Sequence, residues 1–184
     1  MPEYRRVYVE GGTYFITMVT YHRQPIFHDP EAGSILRNAW NNVTQRFPFN
    51  TDAFCLLPDH IHTLITLPDG DANYSMRIRE IKRIFTRFYR IENPIQLPRS
   101  TSRILKHEAT IWQRRFWEHT ILDEDDFNHH INYIHYNPVK HGLVKKVIDW
   151  PWSSFHHYVK LGYYDKNWGG SYSNPINPNK YGDV

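Results

Sequence analysis

After Gly11-Gly12, aromatic and β-branched residues from Thr13 to Tyr21 alternate with a period of two, which predicts a first strand. Asp29-Pro30 supplies an N-cap and a proline for the first helical position. Behind it, Ile35, Leu36, Ala39, Trp40, Val43 and Phe47 recur at three- and four-residue steps, the buried stripe of a helix ending near Pro48. Ala53 to Leu57 is a short apolar strand that turns at Pro58-Asp59 into a second run, His60 to Leu67, as an antiparallel hairpin closed by Pro68-Asp69-Gly70-Asp71. Ser75 is placed to cap a basic helix burying Ile78, Ile81, Phe85 and Phe88 and ending before Pro94.

Residues 93–111 carry prolines, serines and threonines with little periodicity and read as a long loop, a length that is more often functional than idle. Phe116 to Leu122 is a fourth strand. The acids Asp123-Glu124-Asp125-Asp126 then sit where a helix dipole favours them, and they read as helix-start residues rather than metal ligands. That helix, 124–137, is expected to stop at Asn137 because a proline follows. A last helix runs from Pro151 to Gly162. The order predicts an α+β fold, a ferredoxin-like antiparallel sheet backed by helices on one side, with an additional C-terminal helix and tail. One face of the sheet would be left for a ligand. The expected organisation is one domain over 1–162 and a surface-lying or flexible tail over 163–184.

With 184 residues the chain is long enough for one full core. No stretch approaches the roughly 20 apolar residues of a membrane span, and Met1-Pro2-Glu3-Tyr4-Arg5-Arg6 lacks the features of a secretory signal. A cytoplasmic protein with no membrane partner is therefore expected. The lone Cys55 excludes an intrachain disulfide and a thiolate cluster, and its apolar neighbours mark a buried small hydrophobe. The net charge of +3 says little, but its distribution says more. Arg77, Arg79, Lys82, Arg83, Arg87 and Arg90 face one acid, Glu80, and Arg99, Arg103, Lys106, Arg114 and Arg115 follow, interleaved with aromatic residues. A solvated helix face accounts for any one of these cations. The concentration suits phosphate contacts with base stacking.

Strand side chains alternate between faces at about 3.3 Å per residue, so His60 and His62 point the same way, about 6.6 Å apart at Cα. Leu64 and Thr66 share their face, while Ile61, Ile65 and Leu67 take the other. Among twelve histidines most are ordinary, yet two imidazoles at this spacing can share an ion. Downstream, Tyr133 and Asn137 lie four apart on one helix face, with Phe127, Ile131 and Ile134 anchoring the helix. As pattern alone, Tyr133 is a core or rim aromatic and Asn137 a helix stop.

The chain resembles the REP-associated tyrosine transposases, a branch of the single-tyrosine HUH nucleases. The residues that carry the likeness are Tyr4-Arg5-Arg6 with Gly11-Gly12-Thr13, Leu57-Pro58-Asp59-His60-Ile61-His62, Arg79-Glu80-Ile81-Lys82, Ile111-Trp112-Gln113 with Arg115-Phe116-Trp117-Glu118-His119, Tyr133-Ile134 with Asn137-Pro138-Val139-Lys140-His141-Gly142, and Asp149-Trp150-Pro151 with Ser153. The resemblance implies that His60 and His62 bind a divalent ion, Mg²⁺ or Mn²⁺, that Asn137 completes its shell, and that Tyr133 attacks a DNA phosphorus to give a 5′-phosphotyrosine link. The wider single-tyrosine group usually has glutamine where this chain has Asn137. The implied substrate is single-stranded DNA from repetitive extragenic palindromes folded as hairpins, cleaved and rejoined without ATP. Candidate DNA contacts are Arg5, Arg6, Arg79, Lys82, Arg83, Trp112, Arg114, Arg115, Phe116, Trp117 and Lys140. A monomer working in cis is favoured over a helix-swapped dimer. Two other functions fit parts of the pattern: a noncatalytic palindrome binder, and a zinc hydrolase drawing a further ligand from His129, His130 or His135.

Overall fold

The computed structural model describes residues 6–94 and 97–169. Four strands, β1 (Thr13–Val19), β2 (Asn50–Leu56), β3 (His60–Thr66) and β4 (Trp117–Thr120), form one sheet in the order β2-β3-β1-β4, with every neighbouring pair antiparallel. The helices are α1 (Pro30–Arg46), α2 (Tyr74–Glu92), α3 (Thr101–Leu105), α4 (Glu124–Lys140) and α5 (Phe155–Lys160). This is the ferredoxin-like α+β arrangement that the element order predicts, with α5 added.

Alternation along the strands divides the core in two. Tyr14, Ile16 and Met18 of β1 and Ile61 and Ile65 of β3 face α1 and α2, where Leu36, Val43, Ile78, Ile81 and Phe85 close an apolar core. Phe15, Ala53, Cys55 and Leu64 face the other way, toward Ile131, Tyr133 and Ile134 of α4. The second face is thus not free for a ligand as expected: α4 lies on it, because its apolar residues need burial as much as those of α1 and α2 do. Cys55 is fully buried, and burial pushes its thiol up.

Several boundaries differ from the sequence reading, each for a local reason. β1 ends at Val19, where His22 and Arg23 turn with positive φ (52° and 50°). Asn73, not Ser75, caps α2, its side-chain oxygen accepting from Met76 N; the Ser75 hydroxyl instead receives Arg6 Nη1 at 2.7 Å. Phe88 is 49% exposed, outside the stripe that Phe85 belongs to. The long loop contains α3, which is held by Arg103: that guanidinium is buried, donates to the Ala109 and Trp112 carbonyls and lies 4.2 Å from the Tyr21 ring. The last helix is only Phe155–Lys160.

α4 is the most telling difference, since it continues through Pro138 to Lys140. A mid-helix proline removes one hydrogen bond. Here the turn is retained by the burial of Ile134, Asn137 and Pro138 and by the bonds from His141 N to Asn137 O and from Leu143 N to Pro138 O, until Gly142 (φ 67°) ends it. Tyr164 then returns over α4, its hydroxyl donating to Asn132 Oδ1 at 2.6 Å and its ring against His135. No helix among the described residues is long and apolar enough to cross a membrane.

Candidate active site

The β2–β3 turn places His60 at the start of the interior strand β3, and three backbone bonds around the turn fix it. Leu57 N donates to His60 O, Thr20 N to Asp59 O and Phe27 N to Pro58 O. Asp59 Oδ1 meets His60 Nδ1, and Arg23 Nη1 donates to Asp59 Oδ2 at 3.0 Å. Burial would raise the Asp59 carboxyl, but His60 and Arg23 together hold it down at about 2. Two residue pairs further along, Thr17 lies directly across from His62, and its Oγ1 is 2.8 Å from His62 Nδ1. Each Nδ1 therefore has an oxygen partner that orients its ring, which leaves Nε2 of both as the nitrogen for a ligand. The two rings are 4.8 Å apart, and His62 is held neutral by burial and by the neighbouring His60, His141 and Lys140.

Because α4 runs through Pro138, Tyr133, Asn137, Lys140 and His141 fall at i, i+4, i+7 and i+8, one stripe facing β3. The Tyr133 ring stands edge-on to His62 at 5.2 Å and to Phe15 at 5.8 Å. Lys140 Nζ is 3.5 Å from the Tyr133 hydroxyl. Burial pushes that phenol up to about 12, opposed by the Asn137 amide and the Arg23 charge. Asn137 is fully buried; its amide lies near enough to the Tyr133 hydroxyl to lower that phenol, but neither its oxygen nor its nitrogen has a partner of good hydrogen-bond geometry. Such an amide costs folding energy unless something else uses it, and an amide oxygen is a group that a divalent cation can take as a ligand.

His141 is the residue the sequence reading missed. Its ring is 5.2 Å from His60; the residue is exposed as a whole, and partial desolvation of the ring, with the His60 and Lys140 charges adding to it, lowers it to about 4. Its i+8 spacing from Tyr133 was the available signal, hidden by ending the helix at Asn137. The histidines offered as third ligands for a hydrolase are engaged elsewhere or exposed: His130 stacks on His119, His135 Nε2 meets Ser154 Oγ, and His129 is solvent-exposed.

The cations divide into distinct groups. Arg6, Arg79, Lys82, Arg114 and Phe116 line one cavity of about 360 Å³ beside the first turns of α2, with the Arg6 guanidinium 4.1 Å from the Phe116 ring centre. Arg83 faces a separate cleft with Arg87 and Arg90 and donates twice to Glu80. Arg115 is exposed. Trp117 packs on Phe15, on the histidine face. Trp112 is corrected: it is 5% exposed, wedged against Phe27 and Phe85, and has no face for a base. Arg77, counted in the basic run, is also internal, bonded to Asp71 and to the Phe47 and Pro48 carbonyls. Arg5 lies outside the described residues.

Residues 8–137 match the family described as "Transposase IS200 like". The chain belongs to that family. It is similar to a Haemophilus influenzae protein named as a REP-associated tyrosine transposase (44% identity, 93% of this chain and 95% of the relative) and to the Escherichia coli K12 REP-associated tyrosine transposase (42%, 92% of each). Among solved structures it is similar to a REP-associated tyrosine transposase bound to a REP hairpin, with a TM-score of 0.76 and 38% identity over 96% of this chain and 99% of that one. The family resemblance read from the HUH and Tyr-to-Asn-Pro-Val-Lys motifs is therefore correct, and the chain is an enzyme of the REP-associated tyrosine transposase type.

Proposed function

We propose that this transposase cleaves and rejoins single-stranded DNA at REP-type hairpins through a 5′-phosphotyrosine link formed by Tyr133. The observation that carries the proposal is the placement of the Tyr133 ring 5.2 Å from His62 within one chain, with Lys140 Nζ 3.5 Å from its hydroxyl. Support for the substrate comes from the solved relative that holds a REP hairpin. The Tyr133 oxygen attacks phosphorus, the bond from phosphorus to the 3′-oxygen breaks, and the released 3′-hydroxyl keeps the proton that the phenol gave up. One phosphoester replaces another, so the 3′-hydroxyl reverses the reaction without an energy source.

His60, His62 and Asn137 are the residues proposed to hold the divalent cation, Mg²⁺ or Mn²⁺. Nitrogen donors suit manganese better, and cellular abundance favours magnesium. When bound, such an ion neutralises charge on a nonbridging phosphate oxygen. Lys140 stabilises the phenolate, which burial alone disfavours. Tyr133 is 2% and His60 4% exposed, so a phosphodiester reaches them only after a local opening. The last turn of α4, short of one hydrogen bond at Pro138, is where that opening costs least. Arg6, Arg79, Lys82, Arg114 and Phe116 are proposed to hold the hairpin, and the convergence of Tyr133 and the histidines within one chain favours a monomer acting in cis.

Incubating the full chain with Mn²⁺ and a labelled single-stranded hairpin is expected to give a denaturation-resistant adduct that Tyr133→Phe abolishes while hairpin binding survives. Cleavage without an adduct would assign the histidines to hydrolysis. Binding with neither cleavage nor adduct would mark a palindrome binder.

A further inference from the structure

On the same sheet face as His62, at the junction of β4 and α4, a second cluster is built from residues other than His60, His62, Tyr133 and Asn137. Strand alternation turns His119 toward this face, opposite Phe15, while Asp126 and His130 lie four apart on α4. One ligand atom from each lies within 4.8 Å of the other two, the one trio of histidine, cysteine or carboxylate side chains to do so among the described residues. The carboxylate sits between the rings: Asp126 Oδ2 is 2.7 Å from His119 Nε2, and Oδ1 is 3.1 Å from His130 Nδ1. The two imidazoles stack at 4.9 Å with 17° between their planes.

We propose that His119, Asp126 and His130 form a second divalent-cation site, suited to zinc-class ions, that clamps β4 to the helix carrying Tyr133. Two imidazoles and a carboxylate are a donor set that zinc takes with bonds of about 2.0–2.2 Å, which puts ligand atoms about 3–3.5 Å apart. The two nitrogen-to-carboxylate spacings, 2.7 and 3.1 Å, are close to that, while the trio as a whole spreads over up to 4.8 Å and His130 Nδ1 also meets Asp126 O at 2.8 Å, so an ion would draw the side chains together in competition with that bond. His130 is buried, whereas His119 and Asp126 keep 34% and 20% of their side chains exposed, giving an ion a way in and leaving a coordination position for water. The acids around residue 124 therefore differ in task. Asp123 caps α4 by accepting from Asp126 N, while the Asp126 side chain turns inward.

The consequence is positional. His130 precedes Tyr133 by one turn, and the Phe15 ring touches His130 (4.7 Å), His62 (5.5 Å) and Tyr133 (5.8 Å). An ion at the clamp would fix the register of α4 against the sheet without touching the reacting atoms.

The test uses the full chain with His60→Ala and His62→Ala, stripped by a chelator and titrated with Co²⁺ and Zn²⁺. It does not depend on catalysis, so the clamp and the tyrosine chemistry can fail separately. One equivalent is expected to bind, with a Co²⁺ visible absorption band and a raised melting temperature. Adding Asp126→Asn, or separately His119→Gln, should weaken binding at least tenfold and remove the band. No binding by the double variant, or binding that both added substitutions leave unchanged, overturns the proposal. If Asp126→Asn fails to fold by circular dichroism, His119→Gln at its partly exposed strand position decides alone.

Discussion

The two faces of the sheet carry the same backbone and opposite chemistry. Against α1 and α2 the interface is almost wholly hydrocarbon and aromatic: Ile16, Met18, Ile61, Ile65, Leu36, Ile81 and Phe85 are each at most 1% exposed. Against α4 the interface buries Thr17, His62, His130, Tyr133, His135 and Asn137. Burial of a polar group costs free energy unless it is bonded, and this face supplies bonds of its own, as between Thr17 and His62 and between His135 and Ser154. Stability and chemistry are separated by the pleat of β1 and β3, where neighbouring residues belong to different tasks.

The sharpest contrast comes from one substitution on each face. Tyr133→Phe is expected to remove the covalent DNA adduct completely with little change in melting temperature, since the ring and its contacts with Phe15 and His62 remain. Phe85→Ala, in the apolar core against Phe27 and Trp112, should cost about 3–5 kcal/mol in chemical denaturation while leaving adduct yield per folded molecule intact. If Tyr133→Phe proved as destabilising as Phe85→Ala, the division of labour between the faces would be wrong.

Asn137→Leu sharpens the comparison by making the second face resemble the first. The buried amide has no hydrogen-bond partner of good geometry, so a leucine of similar size should stabilise the fold, by about 1–3 kcal/mol if the full desolvation cost is recovered. Metal affinity and adduct formation should fall in the same variant. A loss of stability would instead show that the amide is satisfied in the folded protein.

Acid stability tests the same face. Burial lowers His135 from 6.5 to about 3. Between those pH values the unfolded chain binds a proton that the folded chain refuses, so stability falls as the solution is acidified below about 6.5, by about 1.4 kcal/mol per pH unit for one such group. His135→Gln keeps a partner for Ser154 but cannot titrate, and should make the unfolding free energy fall less steeply between pH 6 and 4, as followed by urea titrations. An unchanged slope would mean that His135 is protonated in the folded state.

The apolar face was legible in the sequence because its rule is simple. Ile35 to Val43 and Ile78 to Phe85 repeat at helical spacing, and His60 to Leu67 alternate, so the sheet and α1 and α2 could be read directly. The histidine face was legible only in pieces. The pairing of His60 with His62 follows from strand geometry, but the nearness of Tyr133 is a tertiary fact that spacing does not contain. Pro138 misled because local propensity favours ending the helix, and packing of Ile134, Asn137 and Pro138 overrules it. The same error hid His141. Trp112 misled in another way: an aromatic residue among arginines suits base stacking, yet nothing local distinguishes it from a core residue.

The smallest expected effect asks whether the outer surface of the apolar side is as inert as its core. Lys82 lies on α2, donates to Gln113 O at 2.7 Å and lines the cavity with Arg6 and Arg79. Burial, with the Arg103 and Arg6 charges adding to it, lowers its ammonium to about 8. A cation with that value is lost as pH rises through 8, where an exposed lysine stays charged. Hairpin affinity measured from pH 7 to 9 should therefore decline in the wild type and stay flatter in Lys82→Arg, while Lys82→Met should be weaker throughout and reduce the salt slope by about one. Coincident wild-type and Lys82→Arg profiles would place the DNA away from this cavity and return α2 to a purely structural role.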